Sequence, residues 1–160
     1  MAAKHVPPEN DRANLAAGVK KKWADKTLRE LCRCPLAALS GVPQSVENYF
    51  RDQQVRTVEE LAAWKYAEIA SGLVLLSKFE KPRHIGTIYT GFNFYKALDK
   101  EVQSLPLAQI IEKPPDFLHG ISGAAAMDLH RIGIATLKDL AYYKPYLCAK
   151  GIVRMAKYEE

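Results

Sequence analysis

The sequence has no long hydrophobic run. Its longest mainly apolar stretch, Ile69 to Leu76, is far shorter than the ~20 residues a membrane-crossing helix needs, so no membrane span is expected. The opening residues, Met-Ala-Ala-Lys-His-Val-Pro-Pro, hold no apolar core of the kind a secretory signal carries. Cysteine is scarce. The three cysteines, Cys32, Cys34 and Cys148, cannot all pair with one another, and the Cys-x-Cys of Cys32 and Cys34 has no second ligand pair at zinc-finger spacing. Reduced thiols in an intracellular protein, soluble or peripherally attached, are the expectation. The choice of compartment, cytoplasm or organelle interior, stays open. A concentrated charge of one sign is also missing. The net charge of +5 and pI of about 9.1 come from basic residues spread along both halves, which points only mildly toward nucleic acid. With 48% hydrophobic and 26% charged residues, wholesale disorder is not expected.

The chemistry of an active site is not advertised either. There is no Gly-rich phosphate loop and no cluster of carboxylates. Cys148 or Ser122 as a nucleophile would need a base and an orienting group that the sequence does not supply nearby. Of the four histidines, His5, His84, His119 and His130, none has a third ligand at a usual metal spacing. The chain is therefore expected to be no enzyme, with no cofactor and no metal.

What the sequence does contain is itself, twice. Slid against itself by about 79 residues without a gap, it aligns Leu28 with Leu107, Pro35 with Pro114, Leu39 with Leu118 and Gly41 with Gly120. Thr57 then meets Thr136, Leu61 and Ala62 meet Leu140 and Ala141, Gly72 meets Gly151, Lys78 meets Lys157, and Glu80 meets Glu159. Pairs such as Val42/Ile121, Phe50/Leu129, Val55/Ile134 and Phe79/Tyr158 keep their character. A division into a first unit, residues 1–81, and a second, residues 82–160, follows.

Within each unit the signals are helical. Asp11 can cap a segment in which Leu15, Val19 and Trp23 recur every four residues. Thr27-Leu-Arg-Glu30 is a capping box, opening a short helix that ends before Pro35. Leu39-Ser-Gly-Val-Pro43 reads as a tight turn, followed by a helix marked by Val46, Tyr49 and Phe50. Thr57-Val-Glu-Glu60 opens another helix, with Leu61 and Trp64 inward. Ile69, Leu73, Leu76 and Phe79 form the expected buried stripe of the last helix. The second unit repeats this with Phe94/Leu98, Leu107/Ile110, Gly120-Ile121, Met127/Leu129, Thr136-x-x-Asp139 and Ile152/Met155. Residues 82–92 read as an extended link. An all-α fold of two tandem units is the expectation.

The order Leu118-His-Gly120-Ile121, then Leu129, then Gly133-Ile134-Ala-Thr136-Leu137-Lys-Asp139-Leu140-Ala141 resembles helix-hairpin-helix modules. It is most similar to an uncharacterised tandem helix-hairpin-helix family in which a Gly-Ile-x-Thr-x-x-Asp-Leu-Ala signature follows the hairpin. The resemblance covers about 40 residues of each unit and gains weight from its recurrence. It implies hairpin turns at Gly41-Val42 and Gly120-Ile121, with Val42 and Ile121 as apolar plugs and the glycines at positive φ. In DNA-binding members of the wider family the motif reads Gly-apolar-Gly, and the backbone at the second helix binds phosphate. Here Pro43 and Ser122 replace the second glycine, and Ser45 and Ala124 carry no charge. Proline has no N–H to give.

Two surface features have no counterpart in the other unit. Lys20, Lys21 and Lys22 form the one basic run, read chiefly as a solvated helix face with a second role as an electrostatic rim. The stretch 89–95 holds Tyr89, Phe92, Phe94 and Tyr95. Its aromatics are either internal glue between units or anchors for a partner, so Phe92, Phe94 and Tyr95 are candidate contacts. The expected role is that of a scaffold or adaptor subunit binding other proteins in a larger assembly. Similar short tandem-hairpin sequences associate loosely with photosynthetic organisms and plastid complexes. The alternative is a nucleic-acid-binding protein using both hairpins.

Overall fold

The computed structural model describes residues 7–8, 12–82, 93–102 and 104–160. Eight helices organise these residues: α1 Leu28–Cys32, α2 Gln44–Asp52, α3 Val58–Ala62, α4 Lys65–Ser77, α5 Leu107–Ile110, α6 Gly123–Arg131, α7 Leu137–Ala141 and α8 Lys144–Ala156. Short 3₁₀ turns at Lys21–Trp23, Leu36–Ala38, Lys100–Val102 and Pro115–Phe117 accompany them. The described residues contain isolated β-bridges but no β-strand, so the fold is all-α. No helix among them is long and apolar enough to cross a membrane.

The starts of these helices follow from local chemistry. At α1, the Thr27 hydroxyl accepts from the Glu30 N–H at 3.1 Å while the Glu30 carboxylate accepts from the Thr27 N–H at 2.9 Å, a complete capping box. Thr136 and Asp139 make the same exchange at α7, each bond 3.1 Å. Thr57 caps α3 by accepting from the Glu60 N–H at 3.3 Å. Helices α2 and α6 end alike. The Val55 and Ile134 N–H groups reach back to the Phe50 and Leu129 carbonyls at 2.8 and 2.9 Å. The intervening residues, Gln54 and Gly133, take positive φ, as a left-handed helix stop requires.

The segment before α1 departs from the expected helix. Leu15 to Val19 makes one turn, closed by Val19 N–H on the Leu15 carbonyl at 2.8 Å, and Lys20 is then extended. Val19 instead pairs with Leu39, through Lys20 N–H to Ala38 O and Ser40 N–H to Gly18 O, each 2.9 Å. Leu98 pairs with Leu118 in the same way. The backbone there is used to hold the Gly41 and Gly120 turns, and Leu15 is left exposed. Asp11 lies outside the described residues, as does most of the 82–92 link.

The chain divides into two compact units, but not at residues 81 and 82. One unit comprises residues 1–63 together with 144–160, and the other residues 64–143. In the first, α8 packs against α1 and α3. In the second, α4 packs against α5 and α7. The last helix of each sequence half thus completes the other half's unit. Each does so with the same face: Ala67, Ala70 and Leu73 on α4 are buried, and so are Tyr146, Ala149 and Ile152 at the corresponding positions of α8. The expected α4 stripe is therefore corrected. Leu73 is buried, Ile69 half-buried, and Leu76 and Phe79 are exposed. Small alanines let the helix approach its neighbours closely and leave the bulky residues of its last turn outside.

The cores are otherwise apolar and tightly enclosed. Leu36, Leu39, Phe50, Val58 and Leu61 are fully buried in the first unit, and Ile110, Leu118, Leu129, Leu137 and Leu140 in the second. No described polar or charged residue is buried.

Candidate interaction surface

The two glycine turns have the expected geometry. Gly41 and Gly120 hold φ of +82° and +96°, and Val42 and Ile121 are buried directly after them. What surrounds the turns differs. A side chain on Gly41 would meet only the Pro145 ring, at 3.9 Å, whereas one on Gly120 would run into the Tyr66 hydroxyl. Tyr66 and Pro145 occupy corresponding positions at the start of α4 and α8, so each turn is covered by the exchanged helix of its own unit.

The helix starts after these turns differ from each other. Pro43 is the N-cap of α2 and makes no side-chain bond. In the first turn of α2, the Glu47 carboxylate accepts from the Ala37 N–H at 2.9 Å and meets Arg51 at 3.6 Å. A carboxylate there already answers the positive end of the helix and would repel a phosphate. At α6 the Ser122 hydroxyl accepts from the Ala125 N–H at 3.1 Å.

Of the three lysines, Lys20 is engaged: its ammonium donates to the Val42 carbonyl at 3.0 Å, fastening the first turn from within. Lys21 and Lys22 are exposed, and the Lys22 ammonium lies 5.6 Å from the centre of the Trp23 ring. Among the aromatics, Phe94 is half-buried, Tyr95 is 56% exposed with the Lys100 ammonium 5.9 Å from its ring centre, and Phe92 lies outside the described residues. Lys20 to Lys22 belong to the first unit and Phe94 and Tyr95 to the second.

The sequence reading missed the surface on the last turns of α4 and α8, because their apolar residues match a buried helical stripe. Phe79 is 80% exposed and Tyr158 79%, at corresponding positions. Leu76 and Met155, three residues earlier in each helix, are exposed as well. The signal available was an earlier run at helical spacing in each helix, Ala67, Ala70 and Leu73 on α4 and Tyr146, Ala149 and Ile152 on α8, which already supplied a docking face.

The cysteines are sheltered. Burial pushes the Cys32 thiol upward, helped by the negative charge of Glu59, and burial also raises Cys34 and Cys148. The Cys34 thiol donates to the Glu30 carbonyl at 3.3 Å. Such thiols stay protonated and react slowly. His119 lies 3.2 Å from Asp99, His130 is exposed, and His5 and His84 are outside the described residues. Among the described residues no three His, Cys, Asp or Glu side chains converge as a metal would require. No protein-family model matches this chain, and no curated protein or solved structure matches it either.

Proposed function

We propose that this protein is a non-enzymatic scaffold or adaptor subunit that binds other proteins within a larger assembly. The observation that carries the proposal is the pair of exposed helix ends, Leu76 on α4 with Phe79 just past it and Met155 on α8 with Tyr158 just past it. Large apolar side chains cluster on a soluble surface where something covers them, and aromatic anchors dominate the energetics of protein interfaces. A plastid or other organellar assembly is the setting that the helix-hairpin-helix resemblance suggests.

The rival reading, a nucleic-acid-binding protein with paired helix-hairpin-helix motifs, draws on the positive-φ glycines ahead of α2 and α6. Pro43, the Glu47 carboxylate and the Ser122 cap weigh against it: Pro43 lacks an N–H, Glu47 places a negative charge in the first turn of α2, and Ser122 occupies the Ala125 N–H.

The test is purification of the tagged protein from its own cells at native expression, with and without nuclease. A stoichiometric set of proteins that survives nuclease is expected. Co-purifying nucleic acid, or loss of the proteins on digestion, would overturn the proposal. Duplex DNA binding that falls steeply with salt would favour the rival.

A further inference from the structure

We infer that the last turns of α4 and α8 are two copies of one docking site, each taking a protein segment in which acidic side chains border an apolar anchor. The inference rests on the scaffold reading above and deepens it by naming the surface and the partner's chemistry.

The two sites share three positions. An aliphatic residue (Leu76 or Met155), a lysine two places on (Lys78 or Lys157) and an aromatic one place further (Phe79 or Tyr158) are all exposed. The halves of this sequence have diverged at most positions, yet here the chemistry is the same and the lysine is identical. Internal packing accounts for little of the match, because the aromatic residue is about four-fifths exposed in both copies. The face that docks each helix lies elsewhere, on Ala67, Ala70 and Leu73 and on Tyr146, Ala149 and Ile152.

Charge names the partner. The carboxylate two places after each lysine is turned inward: Glu80 accepts from the Leu107 N–H at 2.8 Å, and Glu159 from the Leu28 and Arg29 N–H groups at 2.7 and 3.1 Å, while Glu160 is exposed. Among the described residues neither Lys78 nor Lys157 has an ion-pair partner. Each apolar pair is thus bordered by an unanswered cation. A complementary surface carries Asp or Glu beside an apolar side chain, and a fixed positive charge at the edge of an apolar contact sets its register and rejects basic partners. An anionic membrane is a poorer match. Interfacial helices bury an apolar face over several turns, whereas here the exposed apolar residues are few, Leu75, Leu76 and Phe79 at the end of α4 and Leu147, Met155 and Tyr158 along α8 and just past it, and the opposite face is already inside the protein.

The experiment uses the full chain in its own cells, with a photo-reactive phenylalanine analogue at position 79 or 158. Irradiation is followed by mass spectrometry of the cross-linked peptides, and the nuclease-treated purification is run in parallel. The expected result is cross-linking at both positions to protein segments with Asp or Glu close to apolar residues. The yield is expected to fall at least tenfold when Lys78→Glu and Lys157→Glu are added. Circular dichroism and thermal unfolding of the purified variants check that the fold is retained; both lysines are exposed, and it should be. Cross-links to lipid, to nucleic acid or to a second copy of this chain would overturn the inference, as would a yield unchanged by charge reversal. If no cross-links form while a stoichiometric set of proteins still survives nuclease, the docking site is wrong and the scaffold reading stands. If no proteins co-purify, both fail.

Discussion

The carboxylate of Glu159 accepts from the backbone N–H of Leu28 at 2.7 Å, across 131 residues of sequence. It also accepts from the Arg29 N–H, and the Arg29 guanidinium returns bonds to the Glu159 and Ala156 carbonyls. With Thr27 taking the Glu30 N–H, the first three donors of α1 are satisfied, two of them by Glu159, three residues past the end of α8. The corresponding pair repeats the contact: Glu80 accepts from the Leu107 N–H at 2.8 Å. The residue aligned with Thr27 is Pro106, which supplies no hydroxyl, so α5 depends on Glu80 for its side-chain cap. Helix starts leave such donors bare unless something answers them, and here the answer comes from the other half of the sequence.

Removing these carboxylates should therefore be costly for surface-proximal residues. Glu159→Ala is expected to destabilise the fold by about 1.5–3 kcal/mol, the range for hydrogen bonds to a charged group, and Glu80→Ala by a similar amount. Glu159→Gln, which keeps an acceptor but loses the charge, should cost less than Glu159→Ala. Urea denaturation measures all three. Values indistinguishable from the parent would show that the caps are incidental.

The glycine turns give a second, paired expectation. Placing alanine at Gly41 imposes positive φ on a residue with a Cβ, at roughly 1–2 kcal/mol, with open space around it. Gly120→Ala carries the same backbone penalty plus a collision with the Tyr66 hydroxyl, and should cost more. Tyr66→Phe removes the colliding oxygen, so in a double-mutant cycle it should recover part of the Gly120→Ala loss and none of the Gly41→Ala loss. Equal costs at the two glycines, with no coupling to Tyr66, would contradict the packing described.

These elements differ in how far the sequence revealed them. The capping boxes at Thr27/Glu30 and Thr136/Asp139 and the turns at Gly41 and Gly120 were legible because their causes lie within a few residues. The buried face of α4 was misread because Leu76 and Phe79 outweigh Ala67 and Ala70 in any count of hydrophobicity, while packing rewards a close fit as much as bulk. Val19 and Leu98 looked helical because a four-residue spacing suits one turn as well as several. The exchange of α4 and α8 was not legible at all. Self-alignment shows which residues correspond, but a helix that fits one half's groove fits the other's nearly as well, and nothing local chooses between them. The exposed Lys–aromatic pairs became visible only once the inward face of each helix was known.

Alkaline pH should loosen the structure in a defined window. Burial raises the thiols of Cys32, Cys34 and Cys148 above their ordinary value of 9.0 and pushes the Tyr143 phenol up to about 12. Once pH passes 9.0 the unfolded chain gives up the thiol protons, and past 10.0 the Tyr143 proton, while the folded chain holds them. The folded state then binds more protons, and stability falls as pH rises, until Tyr143 ionises in the folded state as well, near pH 12. Tyr143→Phe should flatten the upper part of this decline, and replacing the three cysteines with alanine should flatten its beginning. Denaturant midpoints at constant ionic strength provide the check. A stability that is level from pH 9.0 upward would refute the assignment.

The reciprocal placement of α4 and α8 is the claim on which the fold and both docking sites stand, and cutting the chain tests it most directly. A protease site inserted between residues 82 and 93 lets the folded protein be cleaved into its two sequence halves, followed by size-exclusion chromatography under native conditions. Each half would hold the helix that completes the other's unit, so the pieces should elute together at the mass of the intact protein and separate only in denaturant. Two independently folded halves eluting apart after cleavage would show that each keeps its own last helix, and the exchange described here would be wrong.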